Sequence, residues 1–75
     1  MYSIDLHGLS HNMAKEEVEE TLTTASFLGS FEIKIITGNS KAMRNIVIEV
    51  CDKYSFNYYI PSDNLGIVMV NHVNL

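Results

Sequence analysis

The spacing of apolar residues changes along the chain and predicts four strands and two helices. Residues 2–6, 31–36, 56–60 and 67–70 are predicted strands, and the last of these is apolar at every position. Between them, residues from about 10 to 28 and from about 41 to 54 place apolar side chains at every third or fourth position, as on one face of a helix. The predicted order is therefore strand, helix, strand, helix, strand, strand.

Each predicted helix carries one apolar stripe. The stripe of the first helix consists of Ala14, Val18, Leu22, Ala25 and Leu28. The stripe of the second consists of Met43, Val47, Val50 and Tyr54, widened by Ile46 and Cys51. Ser10 or Asn12 is expected to cap the first helix, and Gly29 to end it. The run of glutamates beside the first stripe is interpreted as a solvated face.

The element order predicts a two-layer α/β (α+β) sandwich. Strand–helix–strand connections are right-handed, so both helices are expected on one face of a largely parallel sheet, with the other face uncovered. The last two strands are close enough in sequence to form a hairpin, so the fourth should run antiparallel. Its unbroken apolar sequence indicates a central strand in a mixed four-stranded sheet. Residues 1–75 are expected to form a single domain.

Composition narrows the function classes. No segment is long and apolar enough for a membrane span, and no secretory signal is apparent, so a cytoplasmic protein with no membrane partner is expected. The single cysteine, Cys51, excludes an internal disulfide and a cysteine-based zinc site, and is predicted to be a buried, inert thiol. The net charge of −4 disfavours tight non-specific binding to nucleic acid unless the five basic residues gather locally.

The first strand delivers an acid and a histidine to a glycine turn. Because side chains alternate along a strand, Ile4 and Leu6 should point inward, while Asp5 and His7 point outward together. This spacing suits an acid–base pair on an exposed surface. The alternative is an ordinary surface histidine, with Asp5 bonded to a nearby backbone N–H. His11 and His72 have no partners at metal-ligand spacing and are expected to be exposed.

A second set of residues converges on the same edge of the predicted sheet. The first two strands end at Gly8 and Gly38, where ligands of open α/β sheets tend to bind, and the second helix starts there with free N–H groups that attract anions. Lys41 and Arg44 add two cations, and Lys34 on the open face would be a third. The alternative is that the glycines only serve turns and Ser40 is only an N-cap.

Together these residues resemble a known family, the small MutS-related (Smr) domains. The resemblance rests on Asp5-Leu6-His7-Gly8-Leu9, on Ile35-Ile36-Thr37-Gly38, and on Met43-Arg44 opening the second helix. It implies the fold of the C-terminal domain of bacterial translation initiation factor three, with an internal antiparallel last strand. The chain departs from the family in having Ser40 in place of a second glycine and in its short loop.

The resemblance implies an endonuclease that acts on RNA or DNA, with Asp5 and His7 as the catalytic pair. A divalent metal ion, magnesium or manganese, held by Asp5 is an open alternative to Asp5 orienting the imidazole. The expected nucleic-acid contacts are Gly8, Lys34, Gly38, Asn39, Ser40, Lys41 and Arg44. Two other interpretations stay open: a non-catalytic nucleic-acid-binding module, and a protein-interaction module whose acidic first helix, with Glu16, Glu17 and Glu20, meets a basic partner.

Overall fold

The computed structural model describes residues 2–73 and contains six elements in the predicted order. They are β1 (Tyr2–Asp5), α1 (His11–Leu28), β2 (Phe31–Ile36), α2 (Lys41–Tyr54), β3 (Asn57–Tyr59) and β4 (Ile67–His72). The bounds of α2 agree with the prediction. The third strand is shorter than residues 56–60, and the fourth continues past residue 70 to His72.

The four strands form one mixed sheet in the order β1-β2-β4-β3. β1 and β2 are parallel, and β4 runs antiparallel to both of its neighbours. The predicted two-layer fold and the central position of the fourth strand are therefore confirmed. Centrality explains why β4 is apolar on both faces: Val68 and Val70 lie in the core, and Met69, on the open face, is still only 5 % exposed.

A single core lies between the two helices and one face of the sheet. The register pairs Ile33 with Val70 and Ile35 with Val68, so these four side chains share the face on which α1 and α2 pack. Each fully buried aliphatic side chain contributes about 1.5–3 kcal/mol relative to an exposed one. The core cluster consists of Ile4, Leu6, Ala14, Val18, Leu22, Ile33, Ile35, Met43, Val47, Val50, Cys51, Phe56, Val68 and Val70.

The helix α1 begins as predicted but buries less of its stripe than predicted. The Ser10 hydroxyl accepts a hydrogen bond from the Met13 N–H at 3.2 Å, which identifies Ser10 as the N-cap. Leu28, the last residue of the predicted stripe, is 80 % exposed. It lines a groove beside the edge strand β1 instead of entering the core. The apolar stripe continues to the end of the helix, but the core does not.

Two other expectations about exposure are corrected. Glu19 does not lie on a purely solvated face, because its carboxylate accepts hydrogen bonds from the Tyr54 hydroxyl at 2.7 Å and from the Lys53 ammonium at 3.1 Å and so joins α1 to α2. His72 is half-buried, because its ring packs edge-on against Phe56 with the ring centroids 5.2 Å apart.

Cys51 is fully buried and unpaired, as predicted. Burial raises the pKa of its thiol to about 12, with a smaller contribution from the neighbouring charge of Asp52. The reactive thiolate is therefore suppressed at neutral pH. None of the helices within residues 2–73 has the length and apolar content needed to cross a membrane.

Candidate functional site

The predicted acid, Asp5, and histidine, His7, lie on either side of the buried Leu6 at the end of β1. Asp5 is the last residue of the strand, and His7 lies in the following turn, where Gly8 adopts a φ of 83°. Leu6 between them is fully buried, and its N–H donates to the carbonyl of Ile36 at 2.9 Å. The side chains of Asp5 and His7 are both exposed. The chain thus holds them at the surface beside the end of β2.

The Asp5 carboxylate braces this turn. Its Oδ1 accepts a hydrogen bond from the backbone N–H of His7 at 2.8 Å. Within residues 2–73, no hydrogen bond or ion pair joins this carboxylate to the His7 ring. The backbone role considered as the alternative is therefore observed, whereas a catalytic pairing of the two side chains remains a prediction. An aspartate that bonds to the N–H two residues later forms a local turn and fixes its conformation.

The turn after β2 is tied to the loop that precedes β4. The carbonyl of Gly66 accepts from the N–H of Thr37 at 2.8 Å, from the N–H of Gly38 at 3.0 Å and from the Thr37 hydroxyl at 3.2 Å. Among the described residues, Thr37 is the buried polar side chain. The Gly38 N–H was expected to face a phosphate, but it is already engaged in this network. Gly38 has a φ of 63°, a conformation that favours glycine.

Gly66 is a component of this edge that the sequence did not identify. A Cβ added there would lie 3.2 Å from the Asn64 side-chain oxygen and 3.5 Å from the carbonyl oxygen of Gly38. The Asn64 Oδ1 also accepts from the Gly66 N–H at 2.9 Å. Composition predicts a turn over residues 61–66. The contact of that turn with Gly38 is tertiary, so no local signal could have revealed it.

The first turn of α2 contains two backbone N–H groups for which the helix itself supplies no acceptor. The Ser40 hydroxyl accepts from the Met43 N–H at 3.1 Å, so its predicted role as N-cap is confirmed. The Arg44 N–H donates to the Ser40 carbonyl at 3.1 Å. The N–H groups of Lys41 and Ala42 then have no acceptor within the helix, and they point outward with the positive end of the helix dipole.

Arg44 carries an unmet hydrogen-bonding group at this helix start. The residue is half-buried, and its Nε is buried without a hydrogen-bond partner among residues 2–73. A buried N–H without an acceptor costs about 1–3 kcal/mol, and the planar guanidinium suits an oxyanion with its parallel donors. Since Nε is buried, an oxygen of a bound anion would reach it only after the side chain turned toward solvent.

We name the region formed by residues 5–8 and 37–44 the carboxyl edge. Because β1 and β2 are parallel, their carboxyl ends meet there, and Asp5 pairs in register with Ile36. Most of the predicted site residues belong to it. These are Asp5, His7, Gly8, Gly38, Asn39, Ser40, Lys41 and Arg44. Lys34 stands apart on the open face: it pairs with Ser3, which places it diagonally from Asp5 at roughly 7–8 Å between Cα atoms.

The described residues do not form a metal cage at this edge. No group of three or more histidine, cysteine, aspartate or glutamate side chains within residues 2–73 could hold a metal ion. Asp5 is the carboxylate at the carboxyl edge, and one of its oxygens already binds the His7 N–H. Magnesium and manganese favour several oxygen ligands in octahedral geometry. The donor set therefore does not fit a resident divalent ion.

Comparison with protein families gives one match. The family described as the Smr domain matches residues 4–60, about three quarters of the chain. The matched range includes the whole carboxyl edge and stops before β4. Neither curated proteins nor solved structures gave a match. The specific likeness to the C-terminal domain of initiation factor three therefore stays a prediction.

Proposed function

The chain belongs to the Smr domain family, and we propose that it binds RNA or DNA at its carboxyl edge and cleaves a phosphodiester bond there. Membership of the family supports nucleic-acid binding and a nuclease-like activity at the level of the family. The finer assignments, of the residues that bind and of the residue that moves the proton, are the proposal.

The unpartnered Nε of Arg44 is the observation that carries the proposal. Arg44 belongs to the first turn of α2, as do Lys41 and Ala42, whose N–H groups have no acceptor within the helix. Backbone donors at a helix start, a helix dipole and an arginine fork are each suited to a phosphate. An anion at this position would lie beside the exposed His7, because the turns after β1 and β2 are neighbours.

In the proposed reaction His7 transfers the proton. A neutral imidazole takes the proton from the attacking oxygen, which belongs to a ribose 2′-hydroxyl or to water, as that oxygen bonds to phosphorus. The bond from phosphorus to the leaving oxygen breaks, and the leaving oxygen takes up a proton from the imidazolium or from water. Arg44 and the amides of Lys41 and Ala42 stabilise the charge that develops on the phosphate oxygens.

In this scheme Asp5 is a positioning residue. Its hydrogen bond to the backbone N–H of His7 fixes the turn that presents the imidazole. Asparagine at position 5 could preserve this bond through its side-chain oxygen, whereas alanine could not. Comparing the two substitutions therefore shows whether Asp5 acts through its hydrogen bond to the backbone or through its negative charge.

One observation favours a second function, a nucleic-acid-binding module without catalysis. The carboxylate of Asp5 is bonded to the backbone and not to the ring of His7, so no side chain among the described residues orients the imidazole through a hydrogen bond. A general base usually relies on such a partner to fix its tautomer. A binding module would use Lys41 and Arg44 in the same way and would form no product.

The test is cleavage of labelled single-stranded RNA, duplex RNA and DNA, each with and without magnesium or manganese. We expect cleavage of at least one substrate by the wild type and a loss of about 10²–10⁴-fold with His7→Ala. Asp5→Ala should lose more activity than Asp5→Asn. His11→Ala is the matched control, because it removes another exposed imidazole at the start of α1.

Three results test the proposed roles and the choice between the two functions. Cleavage that persists in His7→Ala contradicts the proposed proton transfer. Binding without cleavage by the wild type, weakened by Arg44→Ala, supports the binding module. Equal losses with Asp5→Asn and Asp5→Ala would show that the charge of the carboxylate is needed, and the brace would then be an insufficient account.

A further inference from the structure

A groove lies at the other end of the sheet from the carboxyl edge, between α1 and the amino-terminal ends of β1 and β2. It has a volume of about 570 Å³ and includes the apolar side chains of Tyr2, Leu28 and Phe31 in its lining. Tyr2 is 59 % exposed and Leu28 80 % exposed, so water covers much of this apolar surface. Grouped exposed apolar side chains of this kind are typical of interaction sites.

The charged residues of the groove all have the same sign. Glu17, Glu20 and Glu32 line it, and no lysine or arginine does. Three carboxylates beside an apolar surface repel phosphates, so the chemistry of this groove opposes nucleic acid. A second copy using the same groove is also disfavoured, because it would bring the same three carboxylates against these. The complementary ligand combines apolar and positively charged groups.

The backbone of β1 adds a second feature. β1 is a terminal strand that pairs with β2 alone. Since the Leu6 N–H bonds to β2 and alternate residues point the same way, the N–H and C=O groups of Ser3 and Asp5 face the open edge. β1 also lacks the lysine, proline or bulge that usually blocks pairing at an exposed edge.

We propose that this groove, defined by Tyr2, Glu17, Glu20, Leu28, Phe31 and Glu32 and named here the acidic groove, binds an extended segment of a partner protein that is rich in lysine or arginine and apolar residues. The segment adds to the edge of β1 through Ser3 and Asp5. Its apolar side chains enter the groove beside Leu28, and its cations face the glutamates. This interaction uses the backbone of Asp5 and the amino-terminal ends of β1 and β2, and none of the side chains proposed to take part in cleavage.

The test uses a short labelled peptide that alternates lysine with isoleucine, titrated into the full chain and followed by fluorescence anisotropy. A peptide with glutamate in place of lysine is the control ligand. We expect the lysine peptide to bind and the glutamate peptide to bind at least about tenfold more weakly, with added salt weakening the complex. Amide NMR shifts should be largest around Ser3 and Asp5 and small at the start of α2.

Matched variants identify the surface. Leu28→Ala and the double variant Glu17→Gln/Glu20→Gln should each weaken binding roughly fivefold or more. Phe27→Ala is the control, because Phe27 is 88 % exposed but does not line the groove. All these side chains are exposed, so the variants should fold, which circular dichroism would verify.

Four results would overturn the proposal. They are the absence of binding by the lysine peptide, equal binding of both peptides, NMR shifts confined to residues 7–8 and the start of α2, and an equal effect of Phe27→Ala and Leu28→Ala. Sedimentation velocity tests whether a second copy of the chain occupies the groove instead. A dimer of the wild type that Leu28→Ala dissociates would assign the groove to a second copy instead of a basic segment.

Discussion

The carboxyl edge and the acidic groove lie at opposite ends of the parallel strands β1 and β2 and differ in how they are built. The carboxyl edge is held by buried residues, Leu6 and Thr37. The Gly66 carbonyl also accepts three hydrogen bonds from Thr37 and Gly38. The acidic groove is formed largely by exposed side chains on α1, together with the first residues of β1 and β2. The first is suited to holding reacting groups in place, whereas the second is suited to adapting to a ligand.

The same comparison explains why the net charge is a poor guide to function here. Four of the nine acidic residues fall within residues 16–20 of α1, while Lys41 and Arg44 stand at the start of α2. The net charge of −4 therefore represents the local charge of neither the carboxyl edge nor the acidic groove. Local charge and free donors determine what a surface binds, so the total does not exclude nucleic acid from the carboxyl edge.

The largest predicted effect tests whether the carboxyl edge is anchored and the groove is not. Leu6→Ala and Leu28→Ala remove the same atoms, but Leu6 is 0 % exposed and Leu28 is 80 % exposed. We expect Leu6→Ala to lower the free energy of unfolding by about 2–5 kcal/mol, because it leaves a cavity. Leu28→Ala should change it by less than about 0.5 kcal/mol. Denaturant unfolding measures both, and similar losses would contradict the comparison.

The fold could be read from the sequence because its elements are encoded by local patterns. The strand alternation, the helical stripes and the serine caps predicted the element order, and the wholly apolar fourth strand predicted its central place. The error at Leu28 has a physical cause. A stripe shows which way a side chain points, but the extent of the neighbouring layer decides whether anything covers it.

The site was predictable in part. The residues that follow β1 and β2 in sequence were identified, because parallel strands bring their carboxyl ends together. The contact of Gly66 with Gly38 was not, because it joins segments distant in sequence. For Asp5 the sequence left two partners open, the His7 ring and a backbone N–H. The structure shows the backbone N–H of His7, and strand alternation could not have distinguished the two.

A smaller effect is expected from the cations of the carboxyl edge. Lys41→Ala should weaken binding of a labelled single-stranded RNA roughly threefold to fivefold and reduce the slope of log K against log salt by about 1, as for one lost phosphate contact. Lys15→Ala changes the net charge equally but lies among the glutamates of α1. It should leave the slope unchanged. Equal slopes for the two variants would mean that binding follows net charge and not the carboxyl edge.

The smallest effect concerns Glu19, a glutamate of α1 that contacts α2 and does not line the acidic groove. Glu17 and Glu20 line the groove, whereas Glu19 faces α2 and accepts from Tyr54 and Lys53. The Tyr54 hydrogen bond, and then the Lys53 hydrogen bond, lower the pKa of Glu19 below its ordinary value. A carboxyl whose pKa is lower in the folded state stabilises the fold above its unfolded pKa, and the contribution is lost as the pH falls through the folded value.

The stability difference between the wild type and Glu19→Gln should therefore be constant from about pH 5 to pH 8 and shrink below about pH 4. At high pH the same hydrogen bond is lost through Tyr54. The hydrogen bond to Glu19 raises the pKa of Tyr54, and its stabilising contribution disappears once the phenol ionises. Glu16→Gln, an exposed control on the same helix, should show no such profile. A difference that grows on acidification would contradict the assignment, because it requires a folded pKa above the unfolded one. Parallel profiles for Glu16→Gln and Glu19→Gln would assign both glutamates to the solvated face and leave α1 joined to α2 by apolar packing alone.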